Sequence, residues 1–151
     1  MTRCLILLLI SFALGGSAHG QCVLDPIHVE RIEGYALFGF QNQYRILDKA
    51  EIRVLNSTNT QTIASAAIDK DGHFEIADVK PGKYTLSVRS EALIPASVDM
   101  EVIKAKDPPG KRLLLVVLAA DATKECGGAS IRVQPRENVD RVLGTAKRPV
   151  H

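Results

Sequence analysis

The segment that most restricts the fold runs through Ala67-Ile68-Asp69-Lys70-Asp71-Gly72-His73-Phe74-Glu75-Ile76 and resumes with Val79-Lys80-Pro81-Gly82-Lys83-Tyr84-Thr85-Leu86-Ser87-Val88. Phe74 and Ile76 fall on one side of an extended chain, His73 and Glu75 on the other. Tyr84, Leu86 and Val88 alternate in the same way with Lys83, Thr85, Ser87 and Arg89. A pleated strand imposes this period of two when one face is packed and the other is wet. The turn residues agree with it: Asp69 and Asp71 can bond nearby backbone N–H groups and Gly72 accepts a positive φ, so the chain can reverse before Phe74. Pro81-Gly82 is expected at the centre of a type II turn, with Pro setting φ and Gly82 taking the left-handed position. The segment therefore dictates β-structure, and no group in it is arranged to perform chemistry.

The rest of the chain extends the pattern. Residues 29–38 mix Ile32, Tyr35, Leu37 and Phe38 with charges and Gly34 and read as a first strand, followed by a polar connection over 39–48. Glu51-Ile52-Arg53-Val54-Leu55 alternates, Asn56-Ser57-Thr58-Asn59 is a turn, and 62–68 is a strand of small and β-branched residues. Residues 97–104 set Val98, Met100 and Val102 against Asp99 and Glu101. The continuous apolar run 113–119 is too short to cross a bilayer, for which about 20 residues are needed, and reads as a strand buried on both sides. After Gly127-Gly128, residues 130–133 read as a last strand. About eight short strands with turns between them and no convincing long helix define an all-β sandwich. From Gln134 the chain turns polar, Val139, Val142 and Leu143 offer one weak helical face, and a mobile tail is expected over 134–151.

At 151 residues and 46% hydrophobic content the chain has room for one domain with a core. Its first twenty residues are read as a secretory signal: Arg3 forms the positive end, Cys4 to Leu14 is apolar apart from Ser11, and Ala18-His19-Gly20 supplies small residues for cleavage. The apolar run is about half the roughly 20 residues of a membrane span. Processing is expected after Gly20, leaving a domain over 21–133, no membrane span, and a secreted or periplasmic location. Loss of Arg3 takes the formal charge from +2 to +1, and acids alternate with bases along the rest, which argues against nucleic acid as a partner. Cys4 leaves with the leader. The remaining pair, Cys22 and Cys126, is expected to form a disulfide in an oxidising compartment. Lipid attachment at Cys22 is the competing reading, disfavoured because Gln21 is not the small residue such a signal places before its cysteine.

Gly34, then Ala50-Glu51-Ile52-Arg53-Val54-Leu55, then Asp69-Lys70-Asp71-Gly72-His73-Phe74 and Val79-Lys80-Pro81-Gly82-Lys83-Tyr84-Thr85-Leu86 follow one another in an order that resembles the carboxypeptidase regulatory-like domain over about residues 30–104. The resemblance implies a transthyretin-like, or prealbumin-like, β-sandwich of the Ig-like class with seven to eight strands. It also implies a noncatalytic accessory role in binding or adhesion at the cell envelope, with an unknown protein or glycan as partner and no cofactor. A carbohydrate-binding module of the same fold is the alternative.

No constellation of residues argues for an enzyme. Asp69, Asp71 and Gly72 resemble the opening of a calcium loop, but Lys80 stands where the bidentate acid is required. His28, His73 and His151 have no paired ligand spacing, and His73 is expected on the solvent face. Neither a Gly-x-Ser-x-Gly elbow nor a Cys-x-x-Cys pair is present, and Glu30, Glu33, Asp48 and Glu51 read as solvated surface. The transthyretin-like architecture also houses a hydrolase of a purine-degradation intermediate, which resembles a tetramer ending in Tyr-Arg-Gly-Ser. Here the chain ends Lys147-Arg148-Pro149-Val150-His151. With no Trp in the chain, and with Phe38, Phe74 and Tyr84 assigned to the core, Phe40 and Tyr44 are left as the exposed aromatic pair for a ligand, a sugar above all. Asn56-Ser57-Thr58 is a formal glycosylation sequon.

Overall fold

A computed structural model describes residues 22–41, 43–120 and 129–148. The expected leader lies outside these residues, and so does Cys126, which takes the expected disulfide outside them too. The described chain is an all-β sandwich of ten strands with one helix. The strands are β1 (Cys22–Val29), β2 (Ile32–Phe40), β3 (Gln43–Ile46), β4 (Glu51–Asn56), β5 (Thr62–Ala67), β6 (His73–Ile76), β7 (Gly82–Arg89), β8 (Ala96–Val102), β9 (Arg112–Leu118) and β10 (Ser130–Pro135). The helix is α1 (Arg136–Thr145). The first sheet runs β1-β8-β7-β4-β5. The second runs β10-β9-β2-β3, with β6 also on β2. Among the described residues no helix is long and apolar enough to cross a membrane.

The two strands beyond the expected eight have physical reasons for escaping a pattern search. In β1, Asp25-Pro26 interrupts the apolar alternation. Proline donates no hydrogen bond and is tolerated at a sheet edge or in a bulge. Both conditions hold here, because β1 ends its sheet and its parallel register against β8 slips between Leu24 and Ile27. The expected polar connection 39–48 is instead a hairpin: β2 continues to Phe40, Gln41 turns with φ 47°, and β3 returns with Phe40 opposite Gln43 and Gly39 opposite Tyr44. Every side chain of β3 before Ile46 is exposed, so there was no buried face to produce a pattern.

The outer edge of β2 is shared. Its first half pairs with β6 and its second half with β3. Ala36 sits at the junction, donating its N–H to the Gly72 carbonyl at 2.8 Å and accepting from the Leu47 N–H at 3.2 Å. Gly72 takes φ +75°, as its turn requires, and a Cβ there would lie 2.9 Å from the Ala36 oxygen. On the other side of β2 the parallel pairing with β9 brings the Leu114 carbonyl against Gly34, where a Cβ would collide with it.

One expected turn is corrected. Gly82 is extended, pairs with Val102 as the first residue of β7, and lies under the Tyr84 ring; the positive φ before β7 belongs to Asp78, at 62°. A Cβ at position 82 would lie 3.3 Å from the Tyr84 hydroxyl, a close but not prohibitive contact.

The interior between the sheets is filled from both by Ile52, Val54, Leu86, Val88, Val98 and Met100 on one side and Ala36, Phe74, Leu114, Val116 and Leu118 on the other. Phe74 is fully buried; Phe38 and Tyr84 are half-buried against this core, Tyr84 with its hydroxyl donating to the Lys80 carbonyl at 2.9 Å. Residues paired in register share a face, so Leu37 and Val117, with Leu113, point away from that core. They are nonetheless buried, because α1 packs over β9, β10 and β3 with Val139 fully enclosed. The expectation of a mobile tail from Gln134 is therefore corrected: β10 extends to Pro135, the helix docks directly after it, and Lys147 returns to bond with Tyr44 and Ile46 of β3. A run buried on both faces, such as Leu113–Leu118 within β9, requires a cover on its second face, and the weak apolar stripe of Val139, Val142 and Leu143 provides it.

Candidate functional site

Among the described residues a broad concavity lies at one lateral side of the sandwich. There one edge strand of each sheet, β1 and β10, run beside each other with no backbone pairing between their described residues, and a cleft of about 580 Å³ opens between them. Its floor is the margin of the hydrophobic core: Leu24 and Ile27 from β1, Ile131 and Val133 from β10. Among the described residues the rim carries Arg112, Arg132 and His28 against one acid, Asp25. The bulge at Asp25-Pro26, where the register of β1 slips, lies at this point. His28 Nδ1 stands 3.1 Å from Glu101 Oε2, which ties that side of the rim to β8. An apolar floor with polar groups at its margins is the usual build of a recognition cleft.

A second cluster surrounds His73, which is half-buried and packs its ring against the edge of Tyr35 at 5.1 Å, where it was expected to face solvent. Its Nε2 is 3.6 Å from Glu33 Oε1 and its Nδ1 3.9 Å from Asp69 Oδ2. Burial raises the Tyr35 phenol above its ordinary value; Arg136 at the start of α1 pulls it back, and Asp140, Asp69 and Glu33 add to the rise. Asp69 Oδ1 accepts the N–H groups of Asp71 at 2.8 Å and His73 at 3.0 Å. That carboxylate is engaged in shaping the turn, as the turn reading of Asp69-Lys70-Asp71-Gly72 requires. Among the described residues no group of three His, Cys, Asp or Glu could hold a metal ion. The cluster joins β2, β6 and the turn through their polar side chains.

Besides Glu33, two more of the acids read as solvated surface have local structural duties. Glu30 accepts the N–H groups of Lys106 and Asp107 at 3.1 and 2.9 Å and so anchors the loop before β9. Glu51 pairs with Arg53 at 2.7 Å.

Phe40 and Tyr44 are both exposed, Phe40 at 53% and Tyr44 at 37% of their surface. They do not form one platform. Tyr44 lies opposite Gly39 and shares its face, whereas Phe40 is on the face of Phe38, with which it stacks at 6.3 Å and 15°. Alternation sends adjacent residues to opposite faces, and the hairpin turns a pair close in sequence into one divided by a sheet. The cleft residues were only half legible. Ile131 and Val133 belong to an expected strand, but nothing in Leu24-Asp25-Pro26-Ile27 signals an edge strand facing them.

No protein-family model, no curated protein and no solved structure matches this chain. The reading of the site rests on its own geometry.

Proposed function

We propose that this protein is a secreted, noncatalytic β-sandwich module of the carboxypeptidase regulatory-like kind, which binds a protein partner at the cell envelope through the cleft between β1 and β10. The observation that carries the proposal is the cleft itself, an apolar floor between two unpaired strand edges beneath a mainly basic rim. An apolar-floored groove can take up alternate side chains of an extended segment without strand pairing at its rims. Arg112 and Arg132 would favour acidic residues in that segment. The leader-like first twenty residues support export.

A glycan-binding reading is favoured by one feature, the exposed ring of Phe40 stacked on Phe38. Titration of the labelled protein with synthetic extended peptides of either charge, and separately with soluble oligosaccharides, distinguishes the two. Acidic peptides should shift the backbone amide signals of Leu24, Ile131 and Val133, and the double variant Arg112→Glu/Arg132→Glu should abolish that response while Phe40→Ala leaves it intact. Shifts at Phe40 with oligosaccharides alone would replace the proposal with the glycan reading, and silence toward every probe would overturn both.

A further inference from the structure

The five strand edges of the sandwich are treated differently, the short β6 bearing His73 and Glu75. The edge of β3 is closed by the returning chain, since Ile46 donates to the Lys147 carbonyl and Lys147 to the Tyr44 carbonyl, both at 3.0 Å. The edge of β1 is interrupted by the Pro26 bulge, and β10 carries Arg132 and ends in Pro135. Charge, proline and bulges are the devices by which edge strands avoid pairing with other chains. The outer edge of β5 has neither charge nor proline. Thr62-Ile63-Ala64-Ser65-Ala66-Ala67 ends its sheet, has no backbone partner on its outer side among the described residues, and leaves Ile63 47% exposed.

We propose that this edge is a homotypic docking surface, on which β5 of a second copy of this chain pairs antiparallel across a two-fold axis near Ala64 and Ser65. The charge distribution selects both the occupant and the direction. The strand brings no like charges together. The nearest charged side chains on its sheet, Glu51 and Arg53 of β4, neutralise each other at 2.7 Å. The acidic turn with Asp69 and Asp71 lies past one end of β5, and the uncharged segment 57–61 lies before the other. Antiparallel self-pairing sets each acidic turn beside the neutral segment of the other copy, whereas parallel pairing would place two acidic turns together. In the two-fold arrangement every outward N–H of one strand meets an outward carbonyl of its twin, so the surface is its own complement. A six-residue strand pair buries less than the roughly 1,200 Å² of a stable interface, so the dimer is weak and depends on concentration. This inference is independent of the partner cleft, which lies on the opposite side of the sandwich.

Sedimentation equilibrium of the full exported chain, from low micromolar to near-millimolar concentration, tests it. A monomer–dimer equilibrium is expected. Ser65→Lys, at an exposed position, should weaken it at least about tenfold by setting like charges side by side across the axis. Ser65→Thr should retain it and keep the parent melting temperature, and Ser65→Lys, which also stands opposite Arg53 in its own sheet, should stay folded with only a small fall. Hydrogen exchange should show amides of 62–67 gaining protection as concentration rises. A monomer throughout the range overturns the proposal, as does a dimer that survives Ser65→Lys but is lost in Arg132→Glu on β10.

Discussion

The two sheets of this sandwich meet the same core and differ in everything outside it. In the first sheet the central strands β4, β7 and β8 alternate, and the outward row is polar: Thr85, Ser87 and Ser97 are buried there, with Thr85 bonded to Asp99 at 3.3 Å. That face has no covering element among the described residues. In the second sheet β9 is apolar at nearly every position, the outward row contains Leu37, Leu113 and Val117, and a helix lies across it. The difference teaches that strand periodicity fixes the number of layers. A period of two ends the structure at the sheet, whereas a continuous apolar strand needs a further layer and recruits one from whatever chain follows.

The comparison can be broken most forcefully at Leu37. If α1 encloses the outer face of the second sheet, Leu37→Ala should cost about 2–5 kcal/mol in denaturant unfolding, as for a side chain in any closed core. A loss under about 1 kcal/mol would mean that this face is not a core and that the helix is incidental.

Gly72→Ala probes the junction where β3 and β6 share one edge of β2, an irregularity the first sheet lacks. A left-handed φ at a residue with a Cβ costs on the order of 1–3 kcal/mol, and the contact with the Ala36 oxygen adds to it. Thermal unfolding of the variant should show a clear fall. An unchanged midpoint would show that the split edge adapts easily.

On the uncovered face of the first sheet, Thr85→Val should cost no more than about 0.5–1.5 kcal/mol, the value of one hydrogen bond to Asp99. An effect as large as that at Leu37 would make the two outer faces energetically alike.

The smallest effect is expected at Glu51, on the same sheet. The hydrogen bond from Arg53 is the largest influence and holds its carboxyl below the ordinary range; desolvation opposes this, and the charges of Arg53 and Arg89 add to the lowering. Because the folded value lies below the unfolded one, the pair contributes stability above the ordinary Glu range and loses it as pH falls toward the folded value. Glu51→Gln should remove this acid-side dependence, and salt should weaken it in the parent protein. An identical pH profile in parent and variant at low salt would show that the pair makes no contribution.

The strands with one packed face were legible because burial writes itself into every second residue. Phe74, Leu86, Val88, Val98 and Met100 are all enclosed where their alternation places them. What escaped notice had no buried face of its own or was interrupted: β3 is exposed up to Ile46, and β1 contains Asp25-Pro26. The site followed the same rule. Half of the cleft belongs to β10, whose Ile131 and Val133 announce a strand, and half to β1, which shows nothing in sequence. The exposed aromatics were identified by composition, but their division between two faces depends on where the hairpin turns.

The sequence by itself determined that this chain is an all-β sandwich, because alternating strands can hide their apolar halves only by packing face to face. Only the tertiary structure decided the fate of residues 136–148. A ten-residue helix with one apolar stripe, Pro135 at its N-cap and no capping side-chain bond is marginal in water. Its stability comes from Leu37, Leu113 and Val117, three residues distant in sequence that are assembled into a face only when β2 and β9 pair in parallel. The tertiary structure also decided that β1 and β10 would stand apart and leave a cleft. Edge position, unlike burial, is a relation between strands and leaves no period in the sequence of either.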